Sequence, residues 1–478
     1  MLAFRSSGKP LQVLLEYADD RSYYLASAAS DLRIVRTGTL WLDGLSADVG
    51  FYGGPLALAG VQADLEQIGE YKNAADVMVR SGMTAAHRES MTSLIDGLFE
   101  ELVTGIAESR GLEQERAAEL ISGGPYTPSG ALAAGLVDAV SFPDEADDAL
   151  TSLAGVARLR DLSLATYLRR APSQDGPLVA VVHCIGTIVP GRSSQGMFSG
   201  RTMGSDTIGA AIREAWEDDG AKAIVLRVDS PGGSPLASDL IWREVERARE
   251  AGVPVIVSMA DVAASGGYWI AMGADRVVAQ PSTITGSIGI YGGKYVFAGM
   301  HRKLDYEVET IERGEHSSFF STRRPFSDAE RSILKAQLAE TYALFLEKVA
   351  TGRGLDSPEA VDAVARGRVW TGRQALEHGL VDELGGFEVA LNAARELSGL
   401  EAGASVRLRS YPRAPSLTEM FFGGERAQVR QALAHSLASE LQAELPEALL
   451  AVGTTAPATR LLEREHVLAL MPWNADIK

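Results

Sequence analysis

The feature that most constrains this chain is an internal duplication. The stretch TAAHRESMTSLIDGLFEELVTGIAESRGL (84–112) lies over SDAERSILKAQLAETYALFLEKVATGRGL (327–355) at a nearly constant offset of 243 residues, so Arg88 falls on Arg331 and RGL on RGL. Farther on, YTPSGALAAGLVD (126–138) lies over WTGRQALEHGLVD (370–382) with T, AL and GLVD in register. Near the start, SGKPLQVLLEYADDRSYYLASAASD resembles AGVPVIVSMADVAASGGYWIAMGAD, with a short deletion. A chain built this way must fold as two versions of one supersecondary plan.

The second version shows what that plan is. GPLVAVVHCIG (176–186) reads as a strand, DTIGAAIREAWED (206–218) has helical periodicity, and AKAIVLRV (221–228) is a short apolar run stopped by DSPGGS. A second helix over 234–251, the strand VPVIVSM and then ADVAASGGYWIA follow. Alternating strands and helices of this kind predict an α/β fold of βαβ units on a parallel sheet. The domain plan is a first repeat over 1–150, a linker over 151–175, a second repeat over 176–397 and a C-terminal extension over 398–478. Ahead of its serine segment the second copy carries about 70 residues more than the first, so the first copy is expected to be a shortened version.

Composition narrows the function. At 478 residues the chain can bury a sizeable core, and a formal charge of −18 with no long basic run argues against nucleic acid as a partner. A single cysteine, Cys184, excludes an intrachain disulfide, and the seven histidines fall in no ligand spacing, so neither metal nor cofactor is expected. No uncharged apolar run reaches the roughly 18 residues of a membrane-spanning helix, and the N-terminus lacks a signal-peptide pattern.

The copies differ where chemistry would sit. Ser265, between two alanines and two glycines, has little bulk around its hydroxyl, whereas the first copy reads DDRSYY at that point. GEYKNAADV (69–77) carries Lys72, whereas its counterpart RGEHSSFFS (313–321) offers Glu315 or His316. One copy keeps a serine and the other a lysine, the two halves of a Ser-Lys pair in which a desolvated amine takes the serine proton. Glu70 and Asp76 would oppose that desolvation effect if they lay close. The glycines of DSPGGS, at the end of a strand and the start of a helix, let backbone N–H groups approach an oxyanion. Gly232 and Gly233, with the Gly266 amide beside the serine, are therefore the oxyanion-hole candidates.

Each residue also has a plainer reading. DSPGG can be an ordinary turn, Ser234 a helix cap, Ser230 a turn support and Lys72 a solvated lysine. Lys294 and His316 remain rival bases, the latter without an evident acidic partner. His183 reads as a core or edge histidine, the Tyr268–Trp269 and Tyr23–Tyr24 pairs as core, and Met420, Phe421 and Phe422 as a buried anchor or an exposed patch. The tail after Leu400 is expected to hold one or two short helices that pack on an oligomer.

With DSPGGS, ASGGYWIAMGADRVVAQPSTITGSIGI and GEYKNAADV in order along nearly the whole chain, the sequence resembles the signal peptide peptidase A family of the long, duplicated bacterial type. The resemblance implies the ClpP/crotonase-like spiral of ββα units and a serine protease with a Ser-Lys dyad that degrades signal peptides left in the membrane. It makes Ser265 the nucleophile, Lys72 the general base and the DSPGG glycines part of the oxyanion hole. Peptide substrates, a bowl-shaped homotetramer and an inner-membrane-associated place in the bacterial envelope are implied with it. The family's long members begin with a membrane anchor, which this sequence does not show. Two other functions share the fold: a crotonase-like acyl-CoA enzyme, and a scaffold left inactive by the shortened first copy.

Overall fold

A computed structural model describes residues 1–170, 175–196, 200–413, 461–462, 465–471 and 476–477. Residues Met420, Phe421 and Phe422 lie outside the described part. The chain divides into two compact units, one of residues 1–48, 95–173 and 475–478 and the other of residues 49–94 and 174–474. The stretch around Lys72, which belongs to the first repeat by sequence, thus folds with the second unit.

The larger unit is built on a parallel sheet. Its centre is the strand Ala223–Ser230, flanked on one side by Leu178–Ile185 and on the other by the serine strand Val255–Ala264, both parallel to it. Register pairs Val225 with Val181 and with Ile256, so like residues stack across three strands. Strands apolar on both faces form only where helices cover both faces. Here Val179, Val225 and Ile256 pack against Ala390, Leu391 and Ala394 of helix Phe387–Leu397, while Ala180, Ile224, Leu226 and Val257 face a larger core shared with helices Pro235–Glu250 and Asp328–Arg353. Trp269 anchors that core, fully buried against Phe345 with ring centroids 4.4 Å apart. Tyr268 is buried beside it. The α/β class and the βαβ order read from the sequence are observed; the helix expected over 206–218 is an α-helix only through Arg213, continuing as a π-turn over Glu214–Asp218.

A second, smaller sheet carries the Gly232–Gly233 turn. In it Gln62–Ile68 pairs with Ile290–Val296, which pairs with Val467–Leu470, which pairs with Gly232–Gly233, followed by Thr187–Val189. Most of the tail after Leu400 lies outside the described residues, and with it most of the stretch expected to hold short helices. Its described residues include the strands Val467–Leu470 here and Arg407–Tyr411 on the edge of the parallel sheet beside Leu178–Ile185.

The smaller unit repeats the plan in reduced form. In its three parallel strands, Gln12–Asp19, Asp31–Trp41 and Ala139–Val140, Leu32, Ile34 and Leu40 pack in one core with Ile106 and Leu136. The duplication is visible at single bonds. Tyr23 donates its hydroxyl to the Leu136 carbonyl at 2.7 Å, and Tyr268 to the Leu380 carbonyl at 2.8 Å. The two GLVD aspartates do the same work, Asp138 accepting from the Leu32 amide at 2.7 Å and Asp382 from the Val277 amide at 2.6 Å. Each also pairs with an arginine, Arg110 and Arg353 respectively.

Candidate active site

Ser265 stands where the serine strand ends and the short helix Gly266–Trp269 begins. Its backbone is at φ 56° and ψ −115°, a conformation costing a non-glycine residue about 1–3 kcal/mol that the surrounding structure must impose. The constraint is visible: the Ser265 amide donates to the Gly286 carbonyl at 2.8 Å, and Trp269 locks the helix into the core. No side-chain cap uses the Ser265 hydroxyl, so it is turned to another partner.

That partner is Lys72. Its Nζ lies 2.7 Å from Ser265 Oγ and bonds the Ser287 carbonyl at 2.9 Å and the Ser287 hydroxyl at 3.0 Å. Both Lys72 and Ser265 have 0 % of their surface exposed, so the amine has traded water for three oxygens. Burial alone pushes the Lys72 pKa well below the ordinary lysine value. The two acids that could have opposed this are engaged elsewhere: Glu70 pairs with Arg366 at 3.2 Å and Asp76 with Arg80 at 2.6 Å.

Glycines make room for the lysine. At Gly367, φ is +84° and a β-carbon would lie 2.6 Å from Lys72 Cβ; at Gly289 it would lie 3.2 Å from Lys72 Cδ. The loop carrying Lys72 is tied to the same place, the Tyr71 amide donating to the Arg366 carbonyl at 3.0 Å. A buried amine beside Ser265 therefore depends on two positions where no side chain fits.

The candidate amides fall close by but are not equivalent. The Gly232 amide donates to Ser230 Oγ at 3.2 Å, and Ser230 in turn donates to the Gly186 carbonyl at 2.7 Å, so Ser230 supports the turn. Ser234 accepts from the Ala237 amide at 3.2 Å and caps the following helix. A β-carbon at Gly232 would lie 2.6 Å from the Gly266 amide nitrogen, and one at Gly266 would lie 3.0 Å from the Gly233 amide nitrogen. The Gly-Gly turn and the residue after the serine thus share one small space.

The rival bases sit apart from the serine. Lys294 donates to the Phe319 carbonyl at 2.7 Å with its ammonium 4.1 Å from the Phe326 ring centre, and His316 is exposed, edge-on to Phe319. His183 is on a strand of the parallel sheet, 3.2 Å from Ser410 Oγ. Sequence reasoning missed Ser287, whose only signal was its setting between glycine and isoleucine in TGSIG. It also missed the Val467–Leu470 strand, for which the sequence offered only a short apolar run.

With this geometry in hand, the chain can be set beside known proteins. The profile of peptidase family S49 matches residues 3–157 and again 247–401, once in each repeat. The chain is 33 % identical to Protease 4 of Salmonella typhi over 475 residues, 95 % of this chain and 73 % of that one. It is 31 % identical to the chloroplastic serine protease SPPA of Arabidopsis thaliana over 85 % of this chain, but spans only 61 % of the plant protein's length. A putative signal peptide peptidase SppA of Enterococcus faecium is 30 % identical over 44 % of this chain and 60 % of its own.

Proposed function

Because the chain belongs to peptidase family S49, we propose that it is a serine peptidase with Ser265 as nucleophile and Lys72 as general base, cleaving short, extended, largely apolar peptides. The observation that carries this reading is the 2.7 Å approach of a fully buried Lys72 amine to Ser265 Oγ. An ammonium could not take a proton, but an amine whose pKa burial has lowered can.

In the first step Ser265 Oγ attacks the peptide carbonyl carbon as its proton passes to Lys72 Nζ. The carbonyl oxygen becomes an oxyanion, held by the Gly233 and Gly266 amides; one such donor is worth about 3 kcal/mol of transition-state stabilisation. Collapse of the intermediate breaks the C–N bond, and Lys72 returns its proton to the departing amine. Water then attacks the acyl-enzyme with Lys72 again as base, releasing the acid and restoring Ser265. Ser287 holds the Lys72 amine through both steps, keeping its lone pair directed at the nucleophile.

Remnants of signal peptides are the substrates we assign, with the bacterial envelope as setting. The resemblance of the Enterococcus faecium relative and the apolar lining of the smaller sheet by Tyr291, Tyr295 and Leu468 support this. Among the described residues no helix is long and apolar enough to cross a membrane.

The test is labelling by a fluorophosphonate probe as a function of pH. Labelling should disappear in Ser265→Ala, and in the wild type should rise with pH through the lowered pKa of Lys72, because only the neutral amine serves. Wild-type labelling no stronger than that of Ser265→Ala would end the proposal.

A further inference from the structure

The strand Val467–Leu470 lies against the glycine turn that carries the candidate oxyanion amides. It runs antiparallel between Ile290–Val296 and Gly232–Gly233, pairing Leu468 with Tyr291 on one side and Ala469 with Gly233 on the other. The Met471 amide donates to the Pro231 carbonyl at 2.7 Å. Bonded and non-bonded pairs alternate along an antiparallel ladder, so the next bonded pair on that side is Gly233 with Ala469, and the Gly233 N–H is directed at the Ala469 carbonyl. That same carbonyl oxygen lies 3.1 Å from where a β-carbon on Gly266 would be. An Ala469 carbonyl so placed occupies the space between the two amides assigned to the oxyanion.

The segment is held firmly. The Gly293 amide donates to the His466 carbonyl at 2.9 Å, the His466 ring stacks on Phe320 with centroids 3.5 Å apart, and Glu465 accepts from Ser234 Oγ at 2.8 Å. Leu468 and Leu470 enter a cluster with Tyr291, Tyr295, Leu461 and Leu462, while Ala469 faces the main core. The pattern is an extended peptide with a small residue at the nucleophile and leucines on either side.

We infer that residues 465–471 are a tethered pseudosubstrate, so that the peptide site of this chain is closed by its own tail and opens only when that strand is displaced. The physical reason is exclusion: two carbonyls cannot share one pair of amides, and two strands cannot pair with the same edges of Gly232–Gly233 and Ile290–Val296. The inference rests on the reading of Ser265 as nucleophile. A site available only in the fraction of molecules whose tail has left reacts more slowly by that fraction.

The experiment uses the full chain and the fluorophosphonate probe, comparing wild type with Leu470→Asp, which puts a charge into the leucine cluster, and Ala469→Pro, which removes a ladder N–H. Both variants should label Ser265 about tenfold faster or more if the tail is in place nine-tenths of the time. Adding a synthetic EHVLALM peptide to Leu470→Asp should slow labelling again. Labelling at the wild-type rate in both variants overturns the tail inference and leaves the peptidase reading standing. Absence of Ser265 labelling in every form overturns the peptidase reading and this one with it. A measurement on the wild type alone guards against variants that misfold: amide hydrogen exchange at 467–470 should lose protection once the probe has modified Ser265, and unchanged protection overturns the inference.

Discussion

The two repeats turn the same corner in opposite ways. In the first, strand Gln12–Asp19 runs into helix Asp20–Ser27 through Asp19, which keeps an unstrained φ of −91° and caps the helix by accepting from the Ser22 amide at 2.8 Å. Hydrogen bonds from the Ser22 hydroxyl and then its amide hold the Asp19 carboxyl below its ordinary pKa. Its neighbour Asp20 is buried and accepts from the Gly44 amide at 3.0 Å, while burial pushes its pKa up. In the second, Ser265 takes φ 56°, caps nothing and offers its hydroxyl to Lys72. Tyr23 and Tyr268, each bonding a carbonyl of the GLVD turn, show that the surrounding scaffold is otherwise shared. A corner that satisfies its own helix end has no side chain left for another partner; a corner that forgoes the cap stores strain and frees a hydroxyl, here for Lys72.

The largest effect that would break this comparison is on the nucleophile. Ser265→Ala should reduce acylation by about 10³-fold or more, since a triad-type nucleophile has no substitute. Asp19→Ser placed in that background should restore none of it, because the buried lysines among the described residues, Lys72 and Lys294, both belong to the other unit; any recovered labelling would show the corners to be interchangeable.

Next comes the base. Lys72→Met keeps the length of the side chain but cannot accept a proton, and should lower the labelling rate by about 10²–10⁴-fold. It should also raise the melting temperature at neutral pH. The sign follows from the lowered pKa: between the folded and the ordinary lysine values the unfolded chain binds the extra proton, so Lys72 costs stability there, and the cost fades as pH rises toward the ordinary lysine pKa. A melting temperature unchanged between wild type and variant at neutral pH would show that the amine is not desolvated.

A smaller effect is expected at the positions that make room. Gly367→Ala puts a methyl against the Lys72 backbone at a φ of +84° and should cost about 1–3 kcal/mol. Because it moves the lysine, labelling should slow and thermal stability fall together; a stability loss with labelling intact would separate Lys72 from the loop that carries it.

The smallest effects concern what the repeats share. Asp138→Asn and Asp382→Asn each weaken an acceptor of a backbone amide and of an arginine, and should each destabilise by about 1–2 kcal/mol as read by thermal unfolding. Burial opposes it, but the Arg110 hydrogen bond and the Leu32 amide hold the Asp138 carboxyl below its ordinary pKa. Its contribution is therefore present above the unfolded carboxylate pKa and is lost as pH falls through the folded one. Clearly unequal costs in the two variants would mean that the duplicated turns have diverged in their support as well as in their chemistry.

Much of this was legible in residues close together in the chain. Strand, helix and turn identities followed from short-range pattern, because an apolar run such as AIVLRV or a cap such as Ser234 acts over a few residues. The pairing of Ser265 with Lys72 was suggested only because the repeat exposed what each copy lacked. Ser287 was not found, since a serine beside glycine has the same local signature whether it holds a lysine or supports a turn. The Val467–Leu470 strand was not found for a related reason: it is stable as a strand only because two existing strands accept it, and a four-residue apolar run carries no record of that acceptance.

The sequence by itself therefore determined the duplicated α/β plan, the glycines that free backbone amides, and which copy kept a serine and which a lysine. Only the tertiary structure decided that those two side chains meet across 193 residues, that the lysine loses all contact with water, and that the tail lies across the site. Local pattern sets what each segment can become, but a pKa and an occupied cleft depend on the atoms surrounding a group, and those arrive from every part of the chain at once.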